Sequence, residues 1–142
     1  MSAPPNCVFC RIVSGEIPAS VVFQSEYLLA FLDVGPLAEG HLLVVPKTHC
    51  ESLADLAPEI AAELGRVLPS FGRALLEVTG AKGFNVLQND GPAAGQVVPH
   101  VHFHLIPRRS GDNLGYRWLP GKYAEGRAAI IAAEFQERLL HF

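Results

Sequence analysis

The chain has 142 residues, the usual size of one domain. Apolar residues make up 49% and charged residues 18%, a composition that favours a packed core and excludes a disordered chain. Eleven Lys and Arg against fourteen Asp and Glu give a net charge of -3, so we expect no nucleic-acid partner bound through bulk positive charge. We predict a single domain over residues 1–142.

The cysteine count and the lengths of the apolar runs bear on location. Three cysteines are too few, and odd in number, for a disulfide scaffold. Residues 1–6 carry neither the basic nor the apolar region of a signal peptide, and every apolar run is far shorter than a membrane span. We expect a cytoplasmic protein with no membrane partner and a flexible N-terminus over residues 1–6.

The first part of the chain predicts three strands. Two short segments rich in β-branched and aromatic residues, 21–23 and 27–32, predict a hairpin. Residues 41–45 predict a third strand, which Pro46 closes. The segment between the last two strands, DVGPLAEG at 33–40, has the length and composition of a functional loop.

The pattern then changes to the period of a helix. From Asp55 as N-cap to Val78, apolar residues recur at three- and four-residue steps, which predicts an amphipathic helix. Pro69 falls inside it and predicts a kink or break near Leu68. The next segments, 84–88 and 97–107, predict two strands that pair through the turn-rich loop NDGPAAGQ at 89–96.

The end of the chain, residues 108–142, predicts an irregular segment followed by a C-terminal helix over 123–140. Loop-linked strand pairs leave little room for parallel crossovers. We therefore predict an α+β fold with an antiparallel sheet of about five strands and two main helices.

The most informative segment is PHVHFHLIPR at 99–108, in which three histidines alternate with apolar residues. Strand geometry predicts that the three imidazoles line one face. A solvated face is usually built from Lys, Glu and Thr, so an ordinary outer face explains the run poorly. On a strand, His100 and His104 would lie on the order of 13 Å apart, too far to share one zinc ion.

Nucleophilic catalysis explains the run better, because histidine can form a covalent intermediate near neutral pH. His102 is the central member of the three. The glycines of the loop at 89–96 can present backbone N–H groups to a phosphate, although their spacing is not that of a P-loop. Together these features predict phosphoryl chemistry.

The motif HVHFHLI resembles that of the histidine triad family of nucleotide hydrolases and transferases. CVFCRIVSGEIPASVVF, FLDVGPLAEGHLLVVPKTH and NDGPAAGQ resemble family segments in the same order, over roughly residues 7 to 110. The loop NDGPAAGQ and the segment PRRSGD look closest to the dinucleoside polyphosphate hydrolase (fragile histidine triad-like) branch. The resemblance also implies a homodimer that forms through a sheet edge or the central helix.

The resemblance implies a role for each of five catalytic residues. His102 would attack the α-phosphate and form a nucleotidyl-histidine intermediate, and His104 would contact the phosphate. His100 would orient His102 or bind metal, and His41 would help to position the triad. Gln96 would bond phosphate oxygens and the leaving group.

The resemblance also implies further residues that would bind a small-molecule nucleotide. Asn89 would bond the phosphate or leaving group, Gly95 would lend a backbone group, and Asp33 would bind ribose hydroxyls. The base pocket would be lined by Phe9, Ile12, Phe31 and Val34. One position departs from the family pattern, because Val97 stands where many members carry Ser or Thr, and this puts the leaving-group preference in doubt.

Cys7 and Cys10 form a CxxC motif, which is typical of half a zinc site, a redox pair or an unbound pair. The resemblance implies a structural zinc ion held by Cys7, Cys10, His49 and His100, with Cys50 as a competing ligand. No catalytic metal is implied, although the substrate can carry Mg.

We therefore predict a hydrolase that cleaves dinucleoside polyphosphates, such as diadenosine tetraphosphate or triphosphate, through nucleotidyl-His102. Two alternatives stay open at this point. One is a nucleoside phosphoramidate hydrolase, and the other is a zinc-stabilised nucleotide-binding module with little turnover.

Overall fold

A computed structural model describes residues 4–115 and 119–140. Parts of the predicted flexible N-terminus (1–3) and of the predicted C-terminal segment (116–118 and 141–142) lie outside the described residues. The strands are β1 Val21–Gln24, β2 Leu28–Leu32, β3 Leu42–Pro46, β4 Gly83–Gln88 and β5 Phe103–Arg108, and the α-helices are α1 Val8–Val13, α2 Pro58–Thr79 and α3 Arg127–Leu139.

The five strands form one antiparallel sheet with the order β1-β2-β3-β5-β4, which confirms the predicted α+β class. The predicted pairing of β4 with β5 through the loop at 89–96 is present. Every residue of β3 is buried, as are all but the last of β2. Both faces of the central sheet are therefore covered.

Alternate residues of β2 and β3 enter two different cores. Leu28 and Ala30 pack with Val44 against the buried face of α2. Leu29 and Phe31 belong to a second core on the other face, which contains residues of α1. Because side chains alternate across a strand, the continuous apolar sequence of these strands supplies both cores.

The structure corrects two predicted features of α2. The helix begins at Pro58 with Ala57 at the N-cap, whereas Asp55 ends a short 3-10 turn capped by the Ser52 side chain. The predicted break near Leu68 is wrong, because the helix is continuous through Pro69. Pro69 and Gly65, whose carbonyl loses its partner there, are both exposed, so water can hydrate that carbonyl.

Strand β5 is shorter than predicted. It begins at Phe103, so His100 and His102 precede it in an irregular segment, and the prediction that three imidazoles line one face of a strand is wrong. In this segment, local backbone hydrogen bonds replace the hydrogen bonds that a strand would make to its neighbours in the sheet. The backbone N–H of His100 donates to Val98 (2.8 Å), and that of Val101 donates to Cys50 (2.7 Å).

Helix α3, Arg127–Leu139, confirms the predicted C-terminal helix and lies inside the predicted range 123–140. None of its residues is buried. Among the described residues, no helix combines the length and the apolar character needed to cross a membrane.

Candidate active site

A cavity of about 420 Å³ lies between α1, the central sheet and the segment that precedes β5. Its lining contains nine of the ten residues that the sequence predicts to bind a nucleotide: Phe9, Ile12, Phe31, Asp33, Val34, Asn89, Gly95, His102 and His104. The tenth, Gln96, is not part of the lining. Apolar walls with a few polar groups are typical of small-molecule sites.

The lining also includes residues that the sequence did not single out. They are Val8, Ile17, Pro18, Ala19, Leu43 and Val98. Most belong to α1 and the segment after it, and α1 was not predicted. A six-residue helix is too short for a periodic pattern, so only the CxxC motif marked this segment.

The orientation of His102 is set by the main chain. Its Nδ1 lies 2.7 Å from the carbonyl oxygen of His100. A carbonyl oxygen only accepts, so Nδ1 must carry the proton, and Nε2 of the neutral ring then holds a free lone pair. The His102 ring is buried and lies edge-on to Phe9, with ring centroids 5.0 Å apart. This is the tautomer that a nucleophilic imidazole requires at Nε2.

A chain of two further hydrogen bonds fixes His104. The backbone N–H of Leu37 donates to Nδ1 of His41 (3.1 Å), so the proton of neutral His41 lies on Nε2. That Nε2 is 2.8 Å from Nδ1 of His104 and donates to it. His104 therefore carries its own proton on Nε2, as a hydrogen-bond donor beside the His102 ring, whose centroid is 5.0 Å away. We call Leu37 N–H, His41 and His104 the relay.

The relay histidines are neutral at pH 7. Burial, together with the neighbouring His102 and His41, lowers the pKa of His104 to about 4. Burial also lowers the pKa of His41, against the opposing effect of the Asp33 carboxylate. A neutral His104 offers a donor to a phosphate without adding a formal charge.

Asp33, His41 and His104 also place possible metal-ligand atoms within 4.8 Å of one another. A metal bound at Nε2 of neutral His41 would require the proton on Nδ1, where it would oppose the N–H of Leu37. The main chain thus favours hydrogen bonding over metal binding at this group. Asp33 itself caps its loop, since its Oδ1 accepts from Gly35 N–H at 2.8 Å.

Cys7, Cys10, His49 and His100 form the second group, which we call the metal cluster; their ligand atoms all lie within 4.8 Å of one another. Nδ1 of His100 is 3.3 Å from Cys7 Sγ, 3.5 Å from Cys10 Sγ and 3.2 Å from Nδ1 of His49. Tetrahedral zinc with bonds of about 2.0–2.3 Å separates its ligands by roughly 3.3–3.8 Å. Two sulfurs and two imidazoles are also a donor set that zinc prefers.

The tautomer of His100 suits this role. Its Nε2 lies 2.9 Å from the carbonyl of Pro46 and donates to it, so Nδ1 keeps the lone pair that a metal requires. The Cys50 thiol instead donates to the Ser52 carbonyl (3.1 Å) and is not a member of the cluster. His49 rather than Cys50 therefore joins the two cysteines and His100.

Burial and the neighbouring Cys7 thiol raise the pKa of Cys10 to about 11. Cys10 is consequently a thiol when no metal is bound, and a metal must displace its proton. Nε2 of His49 is buried and has no hydrogen-bond partner among the described residues, and Glu51 Oε1 lies 3.7 Å from it. The residues of the cluster thus fit a zinc ion.

Gln96 holds the loop at 89–96 in place. Its Oε1 accepts from Gly91 N–H (2.6 Å), and its Nε2 donates to the carbonyls of Glu51 (2.9 Å) and Val98 (3.1 Å). Gly95 next to it has φ +94°, which favours glycine. Both amide atoms of Gln96 are thus engaged by the main chain, and its predicted contact with phosphate stays a prediction.

Comparison with known proteins identifies relatives over most of the chain. Protein hit of Bacillus subtilis is 41% identical over 119 residues, which span 83% of this chain and 82% of that protein. Adenosine 5'-monophosphoramidase hnt1 of Schizosaccharomyces pombe is 40% identical over 114 residues, which span 80% of this chain and 83% of that protein.

Solved structures share the fold. SMU.412c from Streptococcus mutans superposes with a TM-score of 0.90 at 36% identity, covering 96% of this chain and 87% of that one. A Zn-bound histidine triad family protein from Mycobacterium smegmatis superposes with a TM-score of 0.73 at 42% identity, covering 92% and 97%. The model of the HIT domain matches residues 14–111, and the chain belongs to the HIT family.

Proposed function

We propose that this HIT-family enzyme hydrolyses nucleoside phosphoramidates through a covalent nucleotidyl-His102 intermediate. The observation that carries the proposal is the pairing of two imidazoles with complementary tautomers at the cavity wall. His102 holds its lone pair on Nε2, and His104 holds its proton on Nε2. One ring can attack phosphorus while the other donates to a phosphate oxygen.

The reaction takes place in two steps. In the first, Nε2 of His102 attacks the α-phosphorus, a new N–P bond forms, and the P–N bond of the substrate breaks as its nitrogen takes a proton from water and leaves as the amine. In the second, water attacks the nucleotidyl-histidine: a P–O bond forms, the N–P bond to His102 breaks, one proton passes to solvent, and a nucleoside monophosphate and neutral His102 are released. The His100 carbonyl supports both steps, because it accepts from Nδ1 whether the ring is neutral or cationic.

The apolar part of the cavity gives the nucleotide base a place to bind. Phe9, Ile12, Phe31 and Val34 contribute to this wall, and Asp33 stands in the same lining for the ribose. Cys7, Cys10, His49 and His100 would hold a structural zinc ion, whose contribution is to fix the segment that leads into His102. The name of the Zn-bound relative from Mycobacterium smegmatis supports that metal.

The sequence placed dinucleoside polyphosphates first and phosphoramidates second. The Schizosaccharomyces pombe relative, named an adenosine 5'-monophosphoramidase, supports the second substrate class. Val97 bears on the same choice, because it lines the cavity, is 88% exposed and offers no hydroxyl to a leaving group. The departing amine must gain a proton, whereas a polyphosphate can leave as an anion, so with Val97 at this position the proton for the amine must come from another donor such as water.

The test compares wild type with His102→Asn on adenosine 5'-phosphoramidate, diadenosine tetraphosphate and diadenosine triphosphate, with products separated by chromatography. We expect wild type to release AMP fastest from the phosphoramidate, and the variant to lose at least about a hundredfold in rate while still binding AMP. Faster cleavage of a dinucleoside polyphosphate would restore the first substrate class. AMP binding without turnover by wild type would indicate the binding module.

We further propose that the protein is a cytoplasmic, single-domain homodimer. Support for pairing comes from β4, which is an edge strand of the sheet and carries the half-exposed Val86. An unprotected edge strand favours pairing with a second copy.

A further inference from the structure

Helix α1 and its N-cap carry residues of both the metal cluster and the cavity. Cys7, at its N-cap, and Cys10 belong to the metal cluster, while Val8, Phe9 and Ile12 line the cavity. Each turn of this short helix therefore has one side toward each site. A change in the position of α1 must affect both.

Phe9 connects the two sites most directly. Its ring lies edge-on to His100 of the metal cluster, with centroids 5.8 Å apart, and edge-on to His102, with centroids 5.0 Å apart. It also packs against Phe31, with centroids 5.8 Å apart, in the cavity wall. The position of Phe9 thus sets the shape of the apolar wall beside the nucleophile.

Core packing and the metal cluster both act on α1, because Phe9 and Cys10 are buried in the second core and Ile12 packs against it. The helix has six residues, two of them buried, and no acidic residue in its first turn. Its N-cap acceptor is the Cys7 sulfur, which takes the N–H of Cys10 at 3.4 Å. The ion pair of Arg11 with Glu16 (3.1 Å) is exposed and contributes little. A helix of this length has little stability of its own, so ligation of Cys7 and Cys10 would add to the core packing and hold α1 more firmly.

We propose that zinc binding at the metal cluster and nucleotide binding in the cavity are linked through α1. The inference rests on the proposed function, since it takes the cavity as the nucleotide site. Zinc held by Cys7 and Cys10 restricts the motion of α1 and therefore of Phe9. The nucleotide then binds to a wall that is already ordered, so its binding costs less conformational entropy. Linkage is reciprocal, so the nucleotide must raise zinc affinity by the same factor.

The first experiment measures AMP affinity by calorimetry for four proteins: zinc-loaded wild type, chelator-stripped wild type, Cys10→Ser and Cys50→Ser. Loaded protein is desalted first, so that free zinc does not meet the AMP phosphate. We expect stripped wild type and Cys10→Ser to bind AMP roughly tenfold more weakly. Cys50→Ser is the matched control, because its thiol lies outside the cluster, and it should retain both zinc and affinity.

The second experiment uses wild type alone and does not depend on the folding of a variant. Zinc is withdrawn by a colorimetric chelator with and without saturating AMP, and AMP should raise zinc affinity by the factor found in the first experiment. Hydrogen exchange should show faster exchange at residues 7–13 in the stripped protein and little change across α2.

Each alternative outcome has a distinct meaning. Equal AMP affinity in loaded and stripped protein would overturn the linkage and leave the proposed function standing. Failure of loaded wild type to bind AMP would overturn the nucleotide site and the linkage with it. Global unfolding of the stripped protein, seen as exchange throughout the sheet, would overturn the assignment of the linkage to α1.

Discussion

At the scale of single residues, main-chain groups decide what each histidine does. The Pro46 carbonyl leaves Nδ1 of His100 open to a metal, while the Leu37 N–H makes His41 a donor to His104. Both of these rings carry their proton on Nε2, whereas the His100 carbonyl holds the proton of His102 on Nδ1, so His100 and His102 take opposite tautomers two residues apart. The loop at 33–40 thus influences the cavity through the Leu37 N–H, which sets the tautomer of His41 and, through it, that of His104.

The low pKa of His104 predicts how stability changes with pH. In the unfolded chain the pKa is near 6.5, and in the folded protein burial lowers it to about 4, so between these values the unfolded state binds more protons. The free energy of unfolding should therefore fall as pH drops, by up to about 2 kcal/mol from His104 between pH 7.5 and 5.

Urea unfolding of wild type and His104→Gln at both pH values measures this contribution. The Gln side chain does not titrate, so the variant should lose less stability than wild type on acidification. Equal losses in the two proteins would contradict the assigned protonation of His104.

At the scale of elements, α2 packs tightly against the sheet at one glycine. Gly72 is buried, and a Cβ added there would overlap the ring of Phe84 on β4. Gly65 lies in the same helix, is exposed, and has open space around an added Cβ. Alanine substitution at these two glycines therefore separates the effect of helix propensity on stability from the effect of packing.

We predict that Gly72→Ala and Gly65→Ala change stability in opposite directions. Gly72→Ala should lower the free energy of unfolding by about 1–3 kcal/mol, because Phe84 must move out of a packed site. Gly65→Ala should raise it by up to about 1 kcal/mol, the gain expected for alanine in a helix. Thermal unfolding of both variants measures the difference, and a stabilised Gly72→Ala would show that Phe84 rearranges freely.

At the scale of the whole molecule, the sheet has two edge strands, β1 and β4. In the proposed homodimer β4 pairs with the second copy and β1 stays exposed to solvent. Val86 on β4 is 47% exposed and Val22 on β1 is 54% exposed, so the two residues differ little in exposure. A dimer that joins the two β4 strands must bury Val86 and leave Val22 in solvent.

Val86→Lys should therefore give a monomer, and Val22→Lys should leave the dimer intact. A lysine at a paired edge opposes strand addition by bringing like charges together. Light scattering coupled to gel filtration gives the mass of each protein. A wild-type monomer, or dimers of both variants, would contradict pairing through β4.

Much of this molecule could be predicted from sequence where the pattern is periodic. The alternation and turn residues predicted the strands. His100 and His104 belong to different groups of possible metal ligands, but the spacing on one strand that was used to separate them does not apply, because His100 precedes β5. Pattern did not show that β5 begins at Phe103, because local bonds to Val98 and Cys50 replace the ladder there. Helix α1 was missed because its cap is a cysteine sulfur, which is not among the usual capping groups.

The double use of His100 affects how substitutions in the triad are to be interpreted. Its imidazole belongs to the metal cluster, but the group that orients His102 is its carbonyl, which every amino acid possesses. A scan of side chains at position 100 thus alters the metal cluster directly and the nucleophile only through displacement of the backbone. Loss of rate at position 100 accordingly reports the anchoring of the peptide before His102, and it is not a sign that the His100 ring touches the phosphate.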